Sequence, residues 1–230
     1  MIPTTAASPG AAQVVPSTLT EAASSGLIRS GDILHVRTTG FLGLAIRRAI
    51  GSWGNHDALL VRPEMDLCAG DSQWPHAVCT SLADYDSRIL TGDAFVMVLR
   101  PTDSTMAHGS LAAAWWIRNC QGRPYDIGAY PRLMLKALLG DLCQWPAGWE
   151  WAWYCTEGCR DAWRNGPGLD PWQKTNPTPH TTEKRLLAGA FQLIATFPAP
   201  ESDSAASDLS ITTPTESNQK PSTKHQEPST

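Results

Sequence analysis

The chain has 230 residues, of which 42% are hydrophobic and 17% charged, and its net charge is −4. That balance suits one globular domain with tails, and it offers no basic field for nucleic acid or an anionic surface, so neither is expected as a partner. No apolar window approaches the roughly 18 residues of a membrane span, and MIPTTAASPG lacks the charged and apolar regions of a signal peptide, so a soluble, cytoplasmic protein without an integral membrane segment is expected.

Residues 1–17 are rich in Ala, Ser, Thr and Pro, and residues 199–230 in Ser, Thr, Pro, Gln and Lys. Both stretches read as disordered for want of anything large to bury, which leaves a folded domain over 18–198. Thr18 followed by Glu21 is a capping-box pattern that opens a short helix, with Gly26 as its stop. SGDILHVR then runs from a turn into a strand. In TGFLGLAIRRAIGS the residues Phe41, Leu42, Ala45, Ile46, Ala49 and Ile50 follow helical spacing and predict one face packed on a core, with Arg47 and Arg48 turned elsewhere. NHDALLVR, AVCTSL and AFVMVLRP are short apolar runs between turn signals, and their short connections favour antiparallel pairing. An Ala-rich helix is predicted over 104–120 with Gly122 beyond it, another within IGAYPRLMLKALLG, a third over 182–188, and a final strand in AFQLIATF. Helices and strands in separate runs indicate an α+β domain built on an antiparallel sheet or small barrel with packed helices.

The six cysteines (Cys68, Cys79, Cys120, Cys143, Cys155 and Cys159) form no CxxC pair. Reduced thiols are expected, and zinc lacks the second ligand pair that a tetrahedral site needs. Cys155 in WYCTEGCRDAW stands at the predicted first turn of a helix, where the macrodipole and unpaired N–H groups favour a thiolate and can hold an oxyanion. The competing assignment is a buried structural thiol. His56 opens an apolar strand, a good place for a general base, against the alternative of a hydrogen-bonded surface histidine. Asp71 in CAGDSQWPHAV is the best candidate to orient His56, although Gly70, Asp71 and Ser72 also read as a turn. His76 is its rival, whereas Asp57, next to His56 on a strand, points to the opposite face. Trp153, Tyr154 and Tyr125 are candidates for contacts with substrate. The tryptophans around Cys155, from Trp145 to Trp172, either line an apolar pocket or pack the core. Cys159 is a buried neighbour or a resolving thiol.

Taken together, SGDILHV, WGNHDALLV, AGDSQWPHAVCTSLADY, GRPYDIGAY, WYCTEGCRDAW and NPTPH resemble the circularly permuted papain-like enzymes of the YaeF/YiiX type. These belong to the NlpC-like cysteine peptidase superfamily and are related to lecithin:retinol acyltransferase. The resemblance spans residues 31–179, with Thr156 where the family usually has Ser and Asp71 where many members have Glu. It implies a permuted papain-like fold in which Cys155 is the nucleophile, His56 the base and Asp71 the orienting residue, with Tyr125 and Asp126 matching a recurrent pair of structural character. It also implies a cysteine-dependent amidase or peptidase, acting through an acyl-thioester on a peptidoglycan-type peptide or a lipid amide or ester, with no metal or organic cofactor. Acyl transfer to a second substrate, and a binding module that keeps the fold without turnover, are the alternatives.

Overall fold

The computed structural model describes residues 16–126, 128, 155–173 and 177–198. Their elements, in chain order, are α1 (Leu19–Ser24), β1 (Ile33–Thr38), α2 (Phe41–Ile50), β2 (His56–Val61), β3 (Cys68–Ser72), β4 (Ala77–Ser81), α3 (Leu82–Leu90), β5 (Ala94–Pro101), α4 (Met106–Asn119), α5 (Cys155–Asn165), α6 (Pro179–Leu187) and β6 (Phe191–Phe197). The six strands form one sheet in the order β4-β3-β2-β1-β5-β6, and every neighbouring pair is antiparallel. It is thus an open sheet and not a closed barrel, and the α+β class expected from the sequence holds.

Helices cover both faces, so the sheet separates two cores. On one face Ile33, Leu59, Val61, Met97 and Leu99 meet Trp116 of α4 and Trp163 of α5. On the other, Leu34, Val36, Ala58, Leu60, Val96 and Val98 meet Leu19 of α1 and Tyr85 of α3. The period of two along each strand assigns the side chains to these faces, which is why β1, β2 and β5 read as continuous apolar runs. Phe191 and Phe197 of β6 should share a face by that rule, yet they belong to different cores. A register shift opposite Val98 and Leu99 reverses the alternation between them.

Local signals explain most boundaries. Thr18 caps α1 by accepting from the Glu21 N–H, and Gly51, in the left-handed conformation at φ 63°, ends α2. The helix α3 was not among the expected elements, although Ser81 caps it through the Asp84 N–H and its short apolar stripe is Leu82 and Tyr85. The expected apolar face of α2 is corrected: Phe41 and Leu42 are 87% and 66% exposed, and Gly43 and Ile46 are the buried positions. The helix docks through Gly43 because its backbone lies so close to Thr38 and Asn55 that a Cβ there would overlap the threonine hydroxyl. A second close approach sets α4 against the chain entering β1, where Gly31 (φ +90°) and Gly109 meet with no room for a Cβ on either. The helix expected within IGAYPRLMLKALLG, and both tails, lie outside the described residues. No described helix is long and apolar enough to cross a membrane.

Candidate active site

Two histidine–carboxylate systems occupy the end of the sheet where β1, β2 and β3 come together. The first contains the residues singled out from the sequence. Pairing of β2 with β3 sets Leu59 opposite Gly70, and continuing that register puts Ala58 opposite Asp71. His56 and Asp71 are therefore diagonal neighbours on one face, close enough for long side chains to meet. His56 Nε2 lies 2.8 Å from Asp71 Oδ1, and the Tyr85 hydroxyl of α3 donates to the same oxygen at 2.8 Å. Asp71 is buried in a strand, not set in the turn that Gly70-Asp71-Ser72 also suggests, and its carboxylate is the one bonded to His56. The rival His76 is exposed and forms a bridge with Pro124 instead.

Cys155 is the first residue of α5 and is 6% exposed. The helix forms and docks because Cys155, Thr156, Gly158, Cys159, Ala162 and Trp163 fall on one buried stripe. Gly158 packs closely, since a Cβ would sit 3.0 Å from Ser72 Oγ, which would have to give by a few tenths of an ångström, and in ordinary contact with Trp116 Nε1 at 3.5 Å. Further along, Trp163 Nε1 donates to the Gly31 carbonyl at 3.1 Å and fixes the helix lengthwise. Although α5 lies on the opposite face from Asp71, His56 is the terminal residue of its strand, so its ring meets the thiol at the end of the sheet. Burial depresses the His56 pKa, but the charge and hydrogen bond of Cys155 and the bond to Asp71 outweigh it and raise the value to about 10. Burial raises the Asp71 pKa, but bonds from His56, Thr80 and Tyr85 more than compensate and hold the carboxyl below its ordinary range.

The second system was missed by the sequence reading, apart from the statement that Asp57 faces away from His56. His35 is directly opposite Asp57 in the β1–β2 register, with Nδ1 to Oδ1 at 2.6 Å. Its Nε2 meets Glu183 Oε1 of α6 at 3.0 Å. Burial lowers the His35 pKa, but Asp57 and then Glu183 raise it to about 9, so the ring is an imidazolium between two carboxylates at neutral pH. The other oxygen of Asp57 accepts from Thr156 Oγ1 at 2.7 Å and from Thr182 Oγ1 at 2.9 Å. Glu183 Oε1 also accepts from Ser52 Oγ at 2.6 Å and from the Gly54 N–H at 2.9 Å. Trp53 stacks on the His35 ring with centroids 5.5 Å apart, and a Cβ on Gly54 would overlap that ring. Because both His35 nitrogens are held by carboxylates, this residue has none to offer a thiol. The available sequence signal was the alternation itself, which places His35 and Asp57 among apolar residues facing a core, where a charge must be paired.

The remaining candidates separate cleanly. Trp153 and Tyr154, with Trp145, Trp149, Trp151 and Cys143, lie outside the described residues. Tyr125 is buried, and its N–H donates to the Pro75 carbonyl. Trp163 and Trp172 are core residues, and Trp172 Nε1 donates to Thr182 Oγ1. Cys159 is fully buried, and burial pushes its thiol well above the ordinary range, which suits a neighbour and not a resolving thiol. Asp32, in the Gly-Asp pair before β1, is buried in a two-pronged ion pair with Arg100 (2.7 and 2.8 Å). It ties β1 to β5 and has no link to the site. Among the described residues no group of three or more His, Cys, Asp or Glu side chains is arranged to hold a metal ion.

No protein-family model and no curated protein matches the chain. Among solved structures, the chain is similar to the crystal structure of the metalloprotein yiiX from Escherichia coli O157:H7, at 17% identity over 62% of this chain and 68% of that one, with a TM-score of 0.46.

Proposed function

We propose that the chain is a cysteine-dependent hydrolase of amide or ester bonds, with Cys155 as nucleophile, His56 as proton carrier and Asp71 as the residue that orients it. The observation that carries this reading is that His56 is shared between Asp71, at 2.8 Å, and the thiol at the first turn of α5. Among the described residues, no other thiol stands at the first turn of a helix. Burial pushes Cys120 upward to a position suited to packing, and Cys159 is buried still more deeply.

A His56 pKa near 10 changes the mechanism from the one expected for an ordinary histidine. At neutral pH the imidazole already holds its proton, so attack proceeds from the thiolate form of Cys155 beside the imidazolium. The sulfur adds to the carbonyl carbon, and the oxygen that gains charge is stabilised by N–H groups of the first helical turn. Collapse breaks the carbon–nitrogen or carbon–oxygen bond as His56 delivers its proton to the leaving group, leaving a thioester on Cys155. Water then gives a proton to His56 and adds to the thioester, and collapse releases a carboxylic acid and restores the thiolate–imidazolium pair. The substrate class we propose is a peptidoglycan-type peptide or a lipid-linked amide or ester.

The test is alkylation by iodoacetamide between pH 5 and 9, with each cysteine followed by peptide mapping, alongside hydrolysis of a panel of short peptide amides and N-acyl amines. Rapid labelling of Cys155 below pH 7, lost in His56→Ala, together with release of product from one panel member, is the expected result. Labelling of Cys155 no faster than that of Cys68 or Cys120 removes the hydrolase reading.

A further inference from the structure

The Asp57 network touches the chain next to both members of the dyad. Asp57 follows His56, Thr156 follows Cys155, and the 2.7 Å bond from Thr156 Oγ1 to Asp57 Oδ2 joins those two positions across 99 residues of sequence. From the other end, Glu183 receives the N–H of Gly54, two residues before His56. His35 bridges the two carboxylates at 2.6 and 3.0 Å, and the participating side chains of His35, Asp57 and Thr156 are fully buried.

Building on the hydrolase reading, we infer that Asp57 and Thr156 are positioning residues that lock the thiol of Cys155 onto His56, with His35 and Glu183 holding Asp57 in place. Three physical points support this. A hydroxyl-to-carboxylate bond in a dry interior is strong and directional, so it fixes the start of α5 in translation and in rotation about its axis. Alternation along β2 makes the device compact: one residue faces the thiol while the next, on the opposite face, grips the residue after the thiol. Stability alone is a poor reason to keep the network, because apolar residues of similar volume usually serve a core at least as well as a buried ionic cluster. The arrangement also explains why a threonine suits position 156: its hydroxyl makes the bond, while its methyl group is buried with the rest of the stripe.

The experiment measures the second-order rate of Cys155 alkylation at pH 6.5 in the full-length chain, with thermal melting recorded for every variant and Cys79, which is partly accessible, as an internal reference. Thr156→Val, close in shape but without the hydroxyl, is expected to slow Cys155 about tenfold or more, since small misplacements of reacting groups have effects of that order. Thr156→Ser restores most of the rate. Asp57→Asn slows Cys155 in the same direction, and the double variant with Thr156→Val is no slower than the more impaired single variant, as two ends of one bond require. A Thr156→Val protein that melts lower but alkylates at the wild-type rate overturns the inference and leaves the hydrolase reading standing. If Thr156→Val does not fold, Thr156→Ser against Thr156→Ala gives the same contrast, and equal rates for that pair overturn it. Slow Cys155 in the wild-type chain is a different failure: it removes the hydrolase reading and this inference with it.

Discussion

His35 and His56 stand on adjacent strands, and each presents one ring nitrogen to an aspartate of the next strand, at 2.6 and 2.8 Å. They differ in the ring's second partner. For His35 it is another carboxylate, Glu183, in a fully buried setting; for His56 it is a thiol, and 18% of the His56 side chain reaches solvent. Closing the pair with a second acid gives a fixed cation that serves as a joint between β1, β2 and α6. Leaving it open to sulfur gives a cation whose proton can be transferred. On the proposed reading, one motif repeated one strand over serves as a structural joint in the first case and as a reactive pair in the second, according to its third partner and its access to water.

The largest effect that sharpens this contrast is on turnover. Cys155→Ser and His56→Ala are each expected to reduce hydrolysis by at least about 10³-fold, with Cys155→Ser melting near the parent. A variant with substantial residual turnover breaks the assignment of the open pair. The closed pair should respond in the opposite way. His35→Leu removes the cation shared by two buried carboxylates and is expected to destabilise by about 3–5 kcal/mol in denaturant titrations, and a change below 1 kcal/mol, roughly the net value of an ordinary hydrogen bond, would rule out a structural role.

The pH dependence of stability offers a third, intermediate effect. The His35 pKa is raised to about 9, above the ordinary value near 6.5 that it regains on unfolding. The folded state therefore binds a proton that the unfolded chain has released. This contribution is complete below about pH 6.5 and is lost as pH rises through about 9, at a slope of up to about 1.4 kcal/mol per pH unit. Asp57 and Glu183 are held below their ordinary ranges, so their contribution is present near neutrality and is lost in acid as they protonate. Denaturant titrations from pH 3 to 10 should trace a maximum between these limbs; His56, raised to about 10, adds to the alkaline limb, so an alkaline limb unchanged in His35→Leu removes the His35 cation.

Smaller still is the expected effect of Asp71→Asn, which keeps a hydrogen-bonding group beside His56 and removes the charge. Turnover should fall by about 10²-fold, with the fastest alkylation of Cys155 displaced to higher pH as the imidazolium loses its support. An unchanged pH profile for Cys155 would mean that Asp71 does no more than pack against Tyr85.

Much of this molecule was legible in the chain. The strands from Ile33, His56, Ala77, Ala94 and Phe191 are contiguous apolar runs bounded by turn residues, and the helices at Leu19, Met106 and Pro179 carry their own caps. Such features are local, so a few residues suffice to define them. The candidates Cys155, His56 and Asp71 were also legible, because a thiol at a helix start and a histidine at a strand start are local facts, and Asp57 could be turned away from His56 by alternation alone. The helix from Leu82 was signalled by Ser81 and Asp84, and its short apolar stripe made it easy to pass over.

Tertiary structure decided which residue stands beside which. Sheet order and register chose Asp71 over His76 as the partner of His56, because that choice depends on strands crossing in space and not on spacing along the chain. Docking of α5 at the end of β2 brought Cys155 to His56, and docking of α6 brought Glu183 to His35 across 148 residues. The two pKa values above neutrality follow from those contacts, since burial alone would have moved both imidazoles the other way. The sequence by itself determined the elements and the chemical groups they carry, because hydrophobic period, caps and turns act within a few residues. Only the packing of distant elements into a low-dielectric interior could assign one histidine to a thiol and the other to a second carboxylate.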